Sequence, residues 1–213
     1  MSVIDLDSFR ATPLMSDPYE FLVVSGFIKP EALTAIVADF PTIPSTGSHS
    51  VREFKSGPHF GSLIKELRAP EIEHAFAEKF GLDLSRRPRT VTLRGQCKAT
   101  DGEIHSDTES KLITVLIYMN LDWTEKEGRL RVLRSPQNLE DFVAEVVPEA
   151  GTLLAFRRSN NSWHGHTEFV GERRSIQLNW VTTKAAAYNV EVRHEFSAWT
   201  KKLNPFASAG RDG

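Results

Sequence analysis

Cysteine is almost missing from this chain. Cys97 is the single one in 213 residues. That excludes an internal disulfide framework and a cysteine-rich zinc site. Nothing about standing alone activates a thiol, so Cys97 reads as a small packed residue rather than a nucleophile. An excess of either charge is missing too. The 26 Lys and Arg residues against 28 Asp and Glu leave a formal net charge of −2. A dedicated nucleic-acid binder usually carries a strong basic excess, so none is expected here. No stretch approaches the roughly 20 apolar residues that cross a bilayer, and no membrane partner is expected. Residues 1–14 place Asp5, Asp7 and Arg10 among their apolar positions. They lack the basic start and apolar centre of a signal peptide, which makes the cytoplasm the expected location. Repeats and low-complexity runs are absent. At this length a chain buries roughly 70% of its unfolded surface, enough to fold without staples.

The first third is patterned for helices. Pro30 sets up a start, and Leu33, Ile36, Val37 and Phe40 follow at i, i+3, i+4, i+7. Phe60, Leu63, Ile64 and Leu67 repeat the spacing. Pro70 opens a third helix with Ile72, Phe76 and Phe80 on one stripe, stopped at Gly81. A short strand over residues 20–27 precedes them, and residues 44–58 are expected to form a loop, a candidate lid. From Arg89 the apolar period becomes two, the period of strands. Residues 90–93, 112–119, 130–132, 152–156 and 174–181 are the expected strands. In the last, Arg174, Ile176, Leu178 and Trp180 share one face and Ser175, Gln177, Asn179 and Val181 the other. A helical turn is expected at Leu139, Phe142 and Val143, and a last amphipathic piece carries Phe196, Trp199 and Leu203. The expected architecture is α+β, mainly β: one domain over residues 1–203, with a helical part (28–82) packed on an antiparallel β-sandwich (89–183). Residues 204–213 are expected to form a flexible tail.

Seven histidines are present. His105 and Asp107 form a His-x-Asp pair just before the most apolar strand, and His164 and His166 follow a later one. Alone, such a pair is weak and fits a surface turn equally well. Its placement says more. Two imidazoles and one carboxylate make the facial triad of non-haem Fe(II) oxygenases, which leaves metal positions open for an oxoacid and dioxygen. Two-residue spacing on an extended chain points His105 and Asp107 the same way. Arg174, ten residues after His164, would suit the far carboxylate of a dicarboxylate cosubstrate, because a guanidinium forks onto carboxylate.

The chain resembles the prolyl-4-hydroxylase-like branch of the 2-oxoglutarate/Fe(II)-dependent dioxygenases. The matching pieces run in order: residues 21–27 (Phe-Leu-Val-Val-Ser-Gly-Phe), His105-Ser-Asp107, residues 112–120 followed by Trp123, residues 128–132, residues 148–156, Ser162-Trp-His164 and residues 174–180. The resemblance implies a double-stranded β-helix, or jelly roll. It implies His105, Asp107 and His164 as iron ligands, and Arg174 and Tyr118 on 2-oxoglutarate. Dioxygen, and ascorbate as an accessory, come with the same likeness. So does hydroxylation with release of succinate and carbon dioxide. Family halogenases lack the acidic ligand, and Asp107 supplies it.

Three departures stand out. Gly165 replaces the family's usual Glu after the second histidine, which makes His166 a rival to His164. Arg173 rivals Arg174; Arg174 is preferred because it shares a face with Ile176, Leu178 and Trp180, taken as the barrel interior. Glu127-Gly128 replaces a Gly-Gly. His49, His59, His74 and His194 are expected on surfaces. Arg94, Lys98, Arg129, Arg131 and Arg134 gather around strands at the mouth, which suits a small anionic substrate or solvated outer faces equally. A small molecule and a protein side chain both remain open as substrate. The rival classes are a cupin-like metal-dependent hydrolase or isomerase, and a non-catalytic β-sandwich binding module.

Overall fold

Proline opens three of the helices among the described residues. In the computed structural model, which describes residues 2–188, α1 (Leu6–Ala11) is capped by the Asp5 side chain, which accepts from the Ser8 N–H. After β1 (Phe21–Val24) comes α2 (Pro30–Ala38); β2 (His49–Ser50) precedes α3 (Pro58–Leu67) and α4 (Pro70–Phe80). A proline at the first helical position loses no hydrogen bond, and its fixed φ is already helical. Gly81 ends α4 in the left-handed region (φ 59°), as the sequence predicts.

Seven more strands follow: β3 (Arg89–Cys97), β4 (Lys111–Tyr118), β5 (Leu130–Leu133), β6 (Phe142–Val146), β7 (Leu153–Arg157), β8 (His164–Gly165) and β9 (Gly171–Val181). They form a six-stranded sheet in the order β1-β7-β4-β9-β3-β2 and a three-stranded sheet in the order β6-β5-β8, antiparallel throughout. This is the expected jelly roll. No helix among the described residues is long and apolar enough to cross a membrane.

Two apolar layers explain why β4 is hydrophobic on both faces. Ile113, Val115 and Ile117 join Ile176, Leu178 and Trp180 of β9 against the helices, where Trp180 meets Phe76 with ring centroids 4.9 Å apart. Tyr118 on the other face joins Leu154, Phe156, Leu130 and Val132 between the sheets.

Four expectations need correction. Residues 142–146 are strand β6, not a helical turn. Leu139, Phe142 and Val143 imitate helical spacing by chance; the segment is held by pairing with β5, where Arg131 and Glu145 face each other and bond at 2.7 Å. The face of β9 that carries Ile176, Leu178 and Trp180 is buried under the helices, not in the barrel interior. The loop over residues 44–58 is tied to the large sheet through β2, and a 3-10 turn follows at Val51–Glu53. His49 is buried rather than on the surface, with Ser45 at 3.2 Å and Glu53 at 3.3 Å. Phe196, Trp199, Leu203, His194 and the tail over residues 204–213 lie outside the described residues.

Candidate metal centre

His105 and His164 are joined through the backbone. Each donates its N–H to the other's carbonyl, at 3.1 and 3.0 Å, in an isolated antiparallel bridge. Their rings come to 4.4 Å between centroids. Strand β8, which carries His164, is itself paired with β5. Asp107 follows His105 by two residues, so it points to the same side of an extended chain. One ligand atom from each of His105, Asp107 and His164 lies within 4.8 Å of the others, the arrangement expected from the sequence.

The imidazoles are set to bind a cation. Nδ1 of His105 lies 2.8 Å from the Glu103 carbonyl, and Nδ1 of His164 lies 2.9 Å from the Ser162 carbonyl. A carbonyl only accepts, so in each ring Nδ1 carries the hydrogen and Nε2 keeps its lone pair. Backbone partners of this kind fix the orientation of metal-binding histidines. Burial pushes His164 down to about 4, against the opposing pull of Asp107, so the ring is neutral at pH 7. Asp107 is gripped in turn by Lys111 Nζ (2.6 Å) and the Thr114 hydroxyl (2.5 Å). Burial would raise its pKa, but the Lys111 charge and these two hydrogen bonds outweigh burial and hold the carboxyl below its usual value. Lys111 and Thr114 escaped the sequence reading. The signal was there: Thr114 shares a strand face with Leu116 and Tyr118.

His166 is not part of this cluster. Its Nδ1 donates to the Thr167 carbonyl (2.8 Å), and its Nε2 lies 3.9 Å from Cys97 Sγ. Gly165 cannot be a larger residue without movement, because a Cβ there would stand 2.8 Å from the Gly102 carbonyl oxygen. The departure from the family pattern thus follows from how closely the His105 loop lies on β8. Cys97 is buried, and burial raises its pKa, as a packed thiol requires.

A cavity of about 340 Å³ opens beside the three residues. Arg94, Lys111, Leu116, His166, Arg173 and Ser175 are among its walls. Arg174 is not. It lines a different cavity with Trp123 and Phe169, bonds Glu172 at 2.8 Å and lies over the Phe40 ring. Arg173 is the buried cation on the site's side. Its Nε donates to the Gly128 carbonyl (2.8 Å), and a terminal nitrogen lies 3.4 Å from the Tyr118 hydroxyl. The preference for Arg174 is therefore corrected. Alternation sorted the two arginines onto opposite faces, but the polar face is the one turned inward. Arg129, Arg131 and Arg134 sit outside this cavity in ion pairs with Glu145, Glu140 and Asp141, so of the five basic residues only Arg94 is among its lining residues.

Residues 96–182 match the family model described as the 2OG-Fe(II) oxygenase superfamily, a span that holds all three clustered residues and Arg173. Over that segment the chain is similar to the 2OG-Fe(II) oxygenase superfamily. That superfamily works with Fe(II) and 2-oxoglutarate, and two imidazoles with one carboxylate suit such a metal. A prolyl-4-hydroxylase from Pseudomonas putida aligns over 84% of this chain and 97% of its own, with a TM-score of 0.55 and 14% identity. A prolyl 4-hydroxylase from Phytophthora capsici aligns over 86% and 68%, at 0.53 and 16%. The viral collagen prolyl hydroxylase of Paramecium Bursaria Chlorella virus-1 aligns over 81% and 94%, at 0.51 and 13%. These likenesses establish the shared fold. No curated protein sequence matches the chain.

Acid should weaken the metal-free protein in a defined window. Burial pushes His166 as well as His164 to about 4, and Arg173 adds to the effect at His166. Both folded values lie below the ordinary 6.5, so the unfolded chain binds more protons between pH 6.5 and 4. Stability is then fully present above pH 6.5 and is lost as pH falls toward 4. Thermal unfolding should show Tm dropping through this range, and His166→Gln should flatten the drop. A Tm constant from pH 7 to pH 4.5 would contradict the neutral, buried rings.

Proposed function

We propose that this oxygenase hydroxylates its substrate with Fe(II) and 2-oxoglutarate, releasing succinate and carbon dioxide. The observation that carries the reading is the meeting of His105, Asp107 and His164 within 4.8 Å at the wall of a cavity that also holds a buried arginine. Nε2 of each histidine and a carboxylate oxygen of Asp107 would hold the ferrous ion, with positions left for the cosubstrate and dioxygen. When bound, ion and cosubstrate supply the oxidising chemistry.

The residues around them have separate tasks. Thr114 and Lys111 hold the Asp107 carboxylate ionised and oriented. Arg173 takes the distal carboxylate of 2-oxoglutarate, and Tyr118, fully buried beside it, adds a hydroxyl. The Gly128 carbonyl fixes the guanidinium so that little is lost in ordering it. Leu116 and Leu130 give the cavity apolar wall and keep water away from the reacting centre. Asp107 would supply the acidic ligand that family halogenases lack, which favours hydroxylation over halogenation.

Succinate formation tests this. Even without the substrate, purified protein supplied with Fe(II) and 2-oxoglutarate in air should release succinate slowly. Omission of Fe(II) or addition of N-oxalylglycine should stop it. Metal bound at full occupancy with no succinate released under any addition would instead favour a cupin-like hydrolase or isomerase.

A further inference from the structure

We infer that the substrate is a free α-amino acid, its carboxylate taken by Arg94 and Ser175 and its ammonium group by Glu103. The inference rests on the oxygenase reading above and adds the substrate class.

Arg94 of β3 and Ser175 of β9 are direct register partners. Directly opposed residues of an antiparallel pair project side by side from one face, and both of these line the cavity of the metal centre. Ser175 is 1% exposed, and its Oγ has no hydrogen-bond partner. The buried Nε of Arg94 has none either, while the far end of that guanidinium reaches Asp101 at 3.7 Å. A buried donor without an acceptor is costly, and two of them adjacent on one cavity wall are uncommon in a settled fold. A guanidinium N–H beside a hydroxyl is a seat for a carboxylate.

The cosubstrate does not need this seat. Arg173 serves its distal carboxylate, and Lys111 is held by Asp107. Arg94 touches Asp101 with its far end alone, so its Nε is the cationic donor left over, and it answers a carboxylate on a second molecule.

Charge narrows the class. The cavity is lined by three cations (Arg94, Lys111, Arg173) and three carboxylates (Asp101, Glu103, Asp107). A divalent metal and a dianionic cosubstrate leave this balance unchanged. The molecule that completes the site without an excess of charge is therefore neutral overall, although it carries a carboxylate. It must carry a positive group as well. Glu103 is exposed, lines the same cavity and has no side-chain partner, so it is placed to receive an ammonium. A residue inside a polypeptide presents its α-amine and α-carboxyl as neutral amides and would leave both Arg94 and Glu103 unanswered. Size agrees. The cavity, about 340 Å³ for cosubstrate and substrate together, lies at the small end of ligand pockets.

The test uses full-length protein loaded with Mn(II) and N-oxalylglycine, titrated with each of the twenty common free amino acids and read by calorimetry and by Tm. At least one should bind and raise Tm further, while its carboxamide and its N-acetyl derivative should not. Arg94→Gln should weaken that amino acid roughly ten- to a hundredfold, the loss expected for a charge-assisted hydrogen bond. Ser175→Ala, a gentler change, should weaken it by a few-fold. Both variants should bind N-oxalylglycine as the wild type does, which also shows that they are folded. Absence of binding by all twenty amino acids to the loaded protein overturns the inference and leaves the oxygenase reading intact. An equal loss of N-oxalylglycine binding in Arg94→Gln overturns it too, because Arg94 then belongs to the cosubstrate. Failure of the wild type to bind N-oxalylglycine at all would remove the oxygenase reading itself.

Discussion

Asp107→Ala should abolish succinate formation and lower Fe(II) affinity by well over a hundredfold. The threshold comes from outer partners of metal ligands, whose loss alone typically costs about 10–100-fold; a direct ligand must cost more. Two imidazoles without the anion also lose the charge that neutralises half of the ion. The fold should survive. Asp107 is buried, but its partners Lys111 and Thr114 lie at the cavity wall, where Lys111 can turn to water and Thr114 keeps Asn179 at 3.1 Å. Calorimetric titration with Mn(II), alongside the thermal unfolding curve, separates the two effects. Wild-type metal affinity in this variant would reject the three-residue centre.

The two adjacent arginines give the second large effect, through their difference. Arg173→Ala should raise the KM for 2-oxoglutarate by roughly a hundredfold or more, since two charge-assisted hydrogen bonds to a carboxylate are lost. Metal binding should persist. Arg174→Ala should leave the KM near the wild-type value, because its guanidinium lies on the other side of β9 with Glu172 and Phe40. Arg173→Lys keeps the charge without the planar fork and should fall between. A large KM change in Arg174→Ala with none in Arg173→Ala would reverse the assignment.

That pair also shows what could and could not be read from the sequence. Period-two alternation places Arg173 and Arg174 on opposite faces with certainty. It does not say which face looks into the barrel when both are buried. Ile176, Leu178 and Trp180 form the more apolar stripe, and an apolar stripe suggests an interior. Here that interior is the layer between sheet and helices, and the polar stripe of Arg173, Ser175 and Gln177 faces the site. The histidine and aspartate positions were legible for a different reason. His105 and Asp107 are local, and His164 is fixed by an ordered series of short motifs. The bridge that joins His105 to His164 pairs residues far apart in the chain, and only the fold supplies it. Helix starts were legible because proline at a first turn acts through local stereochemistry. Strand β6 was not, because its residues are mostly half-exposed and its hold comes from pairing with β5. The Arg94–Ser175 pair is likewise a matter of register between β3 and β9, which spacing within either strand does not reveal.

A structure of the protein with Mn(II) and N-oxalylglycine tests the central claim most directly. The account predicts a single ion bound by Nε2 of His105, Nε2 of His164 and a carboxylate oxygen of Asp107, with the far carboxylate of the analogue on Arg173. An ion bound elsewhere, or those three side chains left without it at saturating metal, would contradict the account.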